Sequence, residues 1–187
     1  MDSKLIISDL LTIEQCRAWV TPSDFVLSEN FSDSRRAEFL SWRALLSRHL
    51  GRVVEIEYDS LGAPRVVGSE LHIGVSHTTQ RVAVVVSNNP CAVDVESSQR
   101  DLQRISSRFL TTEERRMAVD NRALVAIWCS RECYYKLRHD KSLSLLTDIC
   151  VSKIDMAAGS VTVTDNRGGQ ATMQILEQNG YIVVYFV

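Results

Sequence analysis

Cys91-Ala92-Val93-Asp94-Val95-Glu96 is the stretch whose reading decides the fold. Two acids alternate with valines, so a short strand is expected, with Asn88-Asn89-Pro90 before it and Ser97-Ser98 after it supplying turn chemistry. Side chains at i and i+2 of a strand leave from one face about 7 Å apart, so Asp94 and Glu96 can aim their oxygens at a single hard cation. The same spelling suits an edge strand with a polar solvent face, and D-x-E alone does not separate the two readings.

The chain around this strand has 187 residues, 45% hydrophobic and 24% charged, enough to bury a real core in one large domain or two small halves. No apolar run approaches the ~20 residues of a membrane span, so no membrane association is expected. The opening Met1-Asp2-Ser3-Lys4-Leu5-Ile6-Ile7 lacks the basic flank and long apolar stretch of a secretory signal, and a cytoplasmic location is expected. A formal net charge of −2 argues against bulk nucleic-acid binding, so any anionic ligand needs a local basic cluster. The five cysteines are odd in number and sit in apolar contexts, as reduced core thiols do.

Upstream, Thr12 to Val20 reads as a short helix capped by Thr12 and stopped before Pro22. Ser32 to Leu50 reads as a longer helix ended by Gly51, with Phe39, Leu40, Trp42, Leu45, Leu46 and Leu50 forming its apolar face. Arg35, Arg36, Arg43 and Arg48 line the remainder, as a solvated flank or an anion-binding row. Arg52 to Tyr58 alternates like a strand, and two further strands, Leu71 to Val75 and Arg81 to Val86, flank Ser76-His77-Thr78-Thr79-Gln80. His77 there is either a structural residue or a switchable donor and acceptor.

Downstream, Leu102 to Phe109 is helical in pattern, and Thr111 with Glu114 three residues on spells a capping box. Arg122 to Leu137 is a further helix carrying Glu132 and Lys136, its most suggestive polar members, whose i, i+4 spacing by itself suits a surface ion pair as readily as a site. Four strands fill the end of the chain, with Asn179-Gly180 as the clearest hairpin turn. The expected architecture is α+β in two similar halves, residues 1–88 and 89–187.

Gly62-x-Pro64, Ser76-His77-Thr78, Ala92 to Glu96, Phe109-Leu110 with Glu114, and Trp128-Cys129-Ser130-Arg131-Glu132-Cys133-Tyr134-Tyr135-Lys136 follow one order and spacing. In that arrangement the chain resembles the Sfp-type 4′-phosphopantetheinyl transferases, built from two pseudo-symmetric α+β halves. The resemblance spans roughly residues 35 to 147. It implies transfer of the phosphopantetheine arm of coenzyme A to a serine of an apo acyl or peptidyl carrier protein, with release of 3′,5′-ADP and a requirement for Mg2+.

By that resemblance Asp94, Glu96 and Glu132 hold the metal, which asks three acids to converge on a solvent-facing site with room for a diphosphate. Glu132, Lys136 and Glu114 are the catalytic candidates: Lys136 neutralises developing charge, Glu132 is a base, and Glu114 holds a metal-bound water or helps deprotonate the serine. Ser76, His77, Arg36, Arg43 and Lys136 are the coenzyme A contacts, the N-terminal half supplying the first four. A chain carrying both halves is expected to work as a monomer. Ala63 stands where the family commonly has Lys, unless Arg65 replaces it, and Arg131 stands where Lys usually precedes the motif Glu. The missing Lys motivates the alternative of a degenerate member that binds carrier or nucleotide without turnover.

Overall fold

The protein is described here from a computed structural model covering residues 3–187; Met1 and Asp2, the start of the segment read for a secretory signal, lie outside the described residues. The chain divides into two compact units, the first running to Cys91 and including Val187, the second spanning Ala92–Phe186.

The first unit opens with strand β1 (Lys4–Asp9), which the sequence reading did not find. Three helices follow. Helix α1 (Ile13–Arg17) starts at a Thr12–Gln15 capping box. Helix α2 (Pro22–Ser28) is an addition to the expected elements: Pro22 starts it at the first helical position under a Thr21 cap, because the missing N–H is one that a helix start leaves unused. Helix α3 (Asp33–Leu50) runs from a Ser32 cap to Gly51, whose φ of 68° makes the left-handed stop glycine allows. A four-strand meander completes the unit: β2 (Ile56–Tyr58), β3 (Pro64–Val66), β4 (His72–His77) and β5 (Arg81–Ser87). The strand expected from Arg52 is shorter because the Val54 N–H goes to Ser47 Oγ rather than to a ladder. The sheet order is β1-β5-β4-β3-β2, antiparallel throughout, and Trp42 and Leu46 of α3 pack on Val82, Val84 and Val86 of β5.

The second unit repeats that plan. Strand β6 (Ala92–Ser97) is followed by α4 (Gln103–Ser106), α5 (Thr112–Met117) and α6 (Asn121–Arg138). Strands β7 (Ile149–Asp155), β8 (Ser160–Asp165), β9 (Gln170–Gln178) and β10 (Tyr181–Phe186) form the meander, with Asn179 and Gly180 both at positive φ in the β9–β10 turn. The sheet order β6-β10-β9-β8-β7 matches the first unit strand for strand. Leu124, Ile127 and Tyr134 of α6 join Val161, Val163, Met173, Ile182 and Val184 in its core.

The repeat reaches individual residues, which the sequence reading did not detect. Helices α3 and α6 both have 18 residues, and the eleventh of each is a buried arginine, Arg43 (3% exposed) and Arg131 (1%). Each pairs with the acid three residues after a threonine cap on the preceding helix: Arg43 Nε lies 3.3 Å from Asp24 Oδ1, and Arg131 Nη2 lies 2.6 Å from Glu114 Oε2. The ladder registers correspond too, with Ile6 opposite Val84 and Asp94 opposite Val184. A buried arginine–acid pin between the second and third helices is therefore part of the scaffold of both units.

Candidate active site

Strand β6 is an edge strand of its own sheet, yet its acids do not look into solvent. Asp94 is only 5% exposed, because α6 lies against β6 and covers that face. From the last turn of α6, Lys136 Nζ donates to Asp94 Oδ1 at 2.7 Å and to the Val93 carbonyl at 3.1 Å. Cys129, two turns earlier on the same helix face, hydrogen-bonds Asp94, and burial first, then the Asp94 charge, push its thiol well above the usual range.

Glu132 lies between Cys129 and Lys136 on α6 and is half-buried. Desolvation, followed by the negative charge of Asp94, raises its carboxyl pKa, while Lys136 and Arg100 pull it down. Lys136 answers the same field in the opposite sense: desolvation works to lower its pKa, but Asp94 and Glu132 outweigh it and hold the ammonium above its ordinary value. At neutral pH this lysine is a fixed cation, suited to an anionic oxygen and not to accepting a proton.

Glu96, two residues beyond Asp94, accepts a hydrogen bond from Arg100 Nη1. The Arg100 guanidinium carbon also lies 5.6 Å above the ring of Trp128, within cation–π range. Sequence reading missed Arg100, although an arginine four residues after the second acid and an indole on the opposing helix were its available signals.

Three acids therefore gather toward one end of β6 and α6, but they do not form the metal triad expected. Among the described residues, no three His, Cys, Asp or Glu side chains stand close enough to hold a metal ion. Lys136 is hydrogen-bonded to Asp94 and Arg100 to Glu96, while the charges of Asp94 and Glu132 repel one another. In kind, carboxylates facing one another suit a hard divalent cation; in arrangement, this is a set of acids already paired with internal bases.

Two other expectations are corrected. Glu114 is fully buried and its oxygens are saturated: Arg131 Nε and Nη2 donate to it, as do the backbone N–H groups of Thr111 and Val151 at 2.8 Å. Arg131 spends its remaining donors on the carbonyls of Phe109, Leu145 and Leu146. Glu114 thus caps α5 and pins it to α6 and β7; it has no lone pair left for a water or a serine proton. Arg43 is the counterpart of Arg131, donating to Tyr58 Oη and the Phe39 carbonyl beside Asp24, with its guanidinium 3.5 Å from the Phe39 ring centroid. It cannot turn to a phosphate without breaking the core.

Of the other N-terminal candidates, His77 and Arg36 keep some access. His77, the last residue of β4, has Arg35 Nη1 at 3.3 Å from Nε2 and Glu38 at 3.5 Å from Nδ1, and Ser76 beside it is buried. Arg36 donates to Ser28 Oγ at 3.2 Å and keeps Glu29 at 3.8 Å. Arg65, the possible substitute for a lysine at position 63, is exposed but tied to Asp59 at 3.3 Å.

A family model described as ACPS, the 4′-phosphopantetheinyl transferase superfamily, matches residues 90–185, just over half of the chain. The matched segment contains β6, all of α4 to α6 and each charged side chain of the Asp94 cluster. No curated protein sequence matches the chain.

Proposed function

Because the chain belongs to the 4′-phosphopantetheinyl transferase superfamily, we propose that it moves the phosphopantetheine arm of coenzyme A onto a serine of an apo acyl or peptidyl carrier protein, Mg2+-dependently, releasing 3′,5′-ADP. One observation carries the reading. At the positions of the first unit that correspond by register and helix position to Asp94, Glu96 and Glu132 stand Ile6, Ser8 and Ala44. The same scaffold is built there without acids, which supports a chemical role for Asp94, Glu96 and Glu132 beyond any scaffolding one.

In the proposed reaction the serine oxygen attacks the β-phosphorus of coenzyme A, the bond to the 3′,5′-ADP oxygen breaks, and the serine proton leaves to a base. Glu132 suits that base, since its raised pKa brings it nearer the operating pH than an ordinary carboxylate. Lys136 suits the charge that builds on the phosphoryl oxygens, as a cation already aimed at this spot. Asp94 and Glu132, with Glu96 once released from Arg100, would hold magnesium, which when bound neutralises diphosphate charge. His77, Ser76 and Arg36 of the N-terminal unit are proposed as coenzyme A contacts; Arg43 and Glu114 are not.

Incubation with Mg2+, fluorescent coenzyme A and a panel of apo carrier proteins tests the reading. Label on at least one carrier, lost in Asp94→Asn with the fold retained by circular dichroism, is the expected result. Absence of label across the panel would leave the alternative, a family member that binds without turnover.

A further inference from the structure

Asp94 and Glu96 each carry a basic partner supplied by this chain, and the two partners are held differently. Lys136 is fastened twice, to Asp94 and to the Val93 carbonyl. Arg100 leaves the turn after β6, rests on the Trp128 ring, and keeps its side chain 39% exposed, so its stem is anchored while its head meets solvent. Among the described residues Glu132 has no ion pair beside those of Asp94 and Glu96, so three acids stand against two bases.

A divalent cation arriving alone meets two positive side chains still seated on its ligands. In a half-buried setting that repulsion is little screened by solvent. A cation arriving with a diphosphate meets a different balance, since the phosphate oxygens offer both bases an anionic place to go. The guanidinium fork fits phosphate as well as it fits carboxylate, so Arg100 exchanges one partner for the other at little cost.

We propose that Arg100 is a coupling residue of this site: it neutralises Glu96 in the free protein and passes to a diphosphate oxygen when a divalent cation takes Glu96, so that cation and diphosphate bind cooperatively. The inference rests on the transferase reading and adds to it a residue and a coupling between two ligands. Because coupling is reciprocal, each ligand tightens the other by the same factor.

Calorimetric titration of magnesium into the full chain, with and without coenzyme A, measures that factor in wild type, Arg100→Met and Arg100→Lys. In wild type, coenzyme A is expected to tighten magnesium about 10-fold or more. Arg100→Met binds magnesium alone more tightly than wild type, since Glu96 is already vacant, and its coupling falls toward unity; Arg100→Lys, which keeps the charge but not the fork, lies between. Coupling in Arg100→Met and Arg100→Lys equal to wild type, or none in wild type, overturns the inference and leaves the transferase reading standing. Failure of wild type to bind magnesium under either condition overturns both. Should Arg100→Met not fold, the lysine variant alone decides, by a reduced or an unchanged factor.

Discussion

Lys136 Nζ lies 2.7 Å from Asp94 Oδ1, a contact that joins the last turn of α6 to the third residue of β6 across 42 positions of sequence. It places a permanent cation on an acid that is 5% exposed. The Asp94 site was expected to face solvent; the structure buries it under α6, so a substitution there removes a buried charged contact as well as a site group. Asp94→Asn is expected to abolish transfer, by at least ~10³ in kcat, and also to cost about 1.5–3 kcal/mol for the lost charged hydrogen bond. Urea unfolding beside the transfer assay checks both; an unchanged midpoint would mean that the contact carries no stability.

Glu132 gives a pH dependence whose sign is fixed by its raised pKa. The folded protein holds the Glu132 proton more tightly than the unfolded chain does. Stability therefore falls as pH rises from the ordinary value of 4.5 through the raised one. Glu132→Gln should flatten that decline and match or exceed wild type in thermal stability at neutral pH, while losing transfer. Melting temperatures of both proteins across pH 4 to 8 measure this, and a steeper decline in the variant would contradict it.

Glu114 and Arg131 predict a loss of a different kind. Breaking a buried pair leaves an uncompensated charge, so Glu114→Gln should destabilise by about 3–5 kcal/mol. Arg131→Lys keeps the charge but loses the fork, and should cost less. The fraction of Glu114→Gln that remains folded should turn over at a near wild-type rate. A large fall in kcat at full folding would restore Glu114 to the chemistry.

Arg43→Met and His77→Ala should separate core from ligand contact. The first is expected to lower stability by about 3–5 kcal/mol with the KM for coenzyme A unchanged, since Arg43 is locked between Asp24 and Tyr58. The second should raise that KM with little change in stability. Steady-state kinetics with denaturant unfolding reads both.

Gly169 stands beside the Asp165 carboxylate, which accepts from Tyr134 Oη at 2.9 Å and from the Arg167 and Gly169 backbone N–H groups at 2.9 Å each. A Cβ at 169 would press on Asp165 and lie 2.6 Å from the Tyr134 hydroxyl. Gly169→Ala should cost about 1–3 kcal/mol, as overpacking does, by opening this network. Burial works to raise the Asp165 pKa, but these hydrogen bonds win and lower it, so the stability it lends is present above its ordinary 3.8 and lost as pH falls through the depressed value. An acid-unfolding midpoint in Gly169→Ala shifted upward checks it.

The elements legible in the sequence were those with strong local signals. Ser32 and Gly51 bracket α3, Thr111 with Glu114 caps α5, and Asn179-Gly180 turns β9 into β10, each set by neighbours within a few residues. Strands β1 and β3 were missed because their case rests on distant partners: Leu5 and Ile7 gain their place only opposite Val85 and Ala83. Pro22 misled because a residue that stops one helix starts the next. In the site, Asp94, Glu132 and Lys136 were named through the family resemblance rather than through their own spacing, and the structure brings the three side chains together. Arg43 and Glu114 were not legible, since a buried arginine and a phosphate-binding arginine look alike until the aromatic rings and the acid around them are seen.

The most direct test of the account is the intact mass of an apo carrier protein after incubation with the chain, coenzyme A and magnesium. The account predicts a gain equal to one phosphopantetheine arm, confined to the carrier's serine and matched by one equivalent of 3′,5′-ADP. A carrier whose mass stays unchanged while coenzyme A is bound, or is cleaved with water as acceptor, would contradict it.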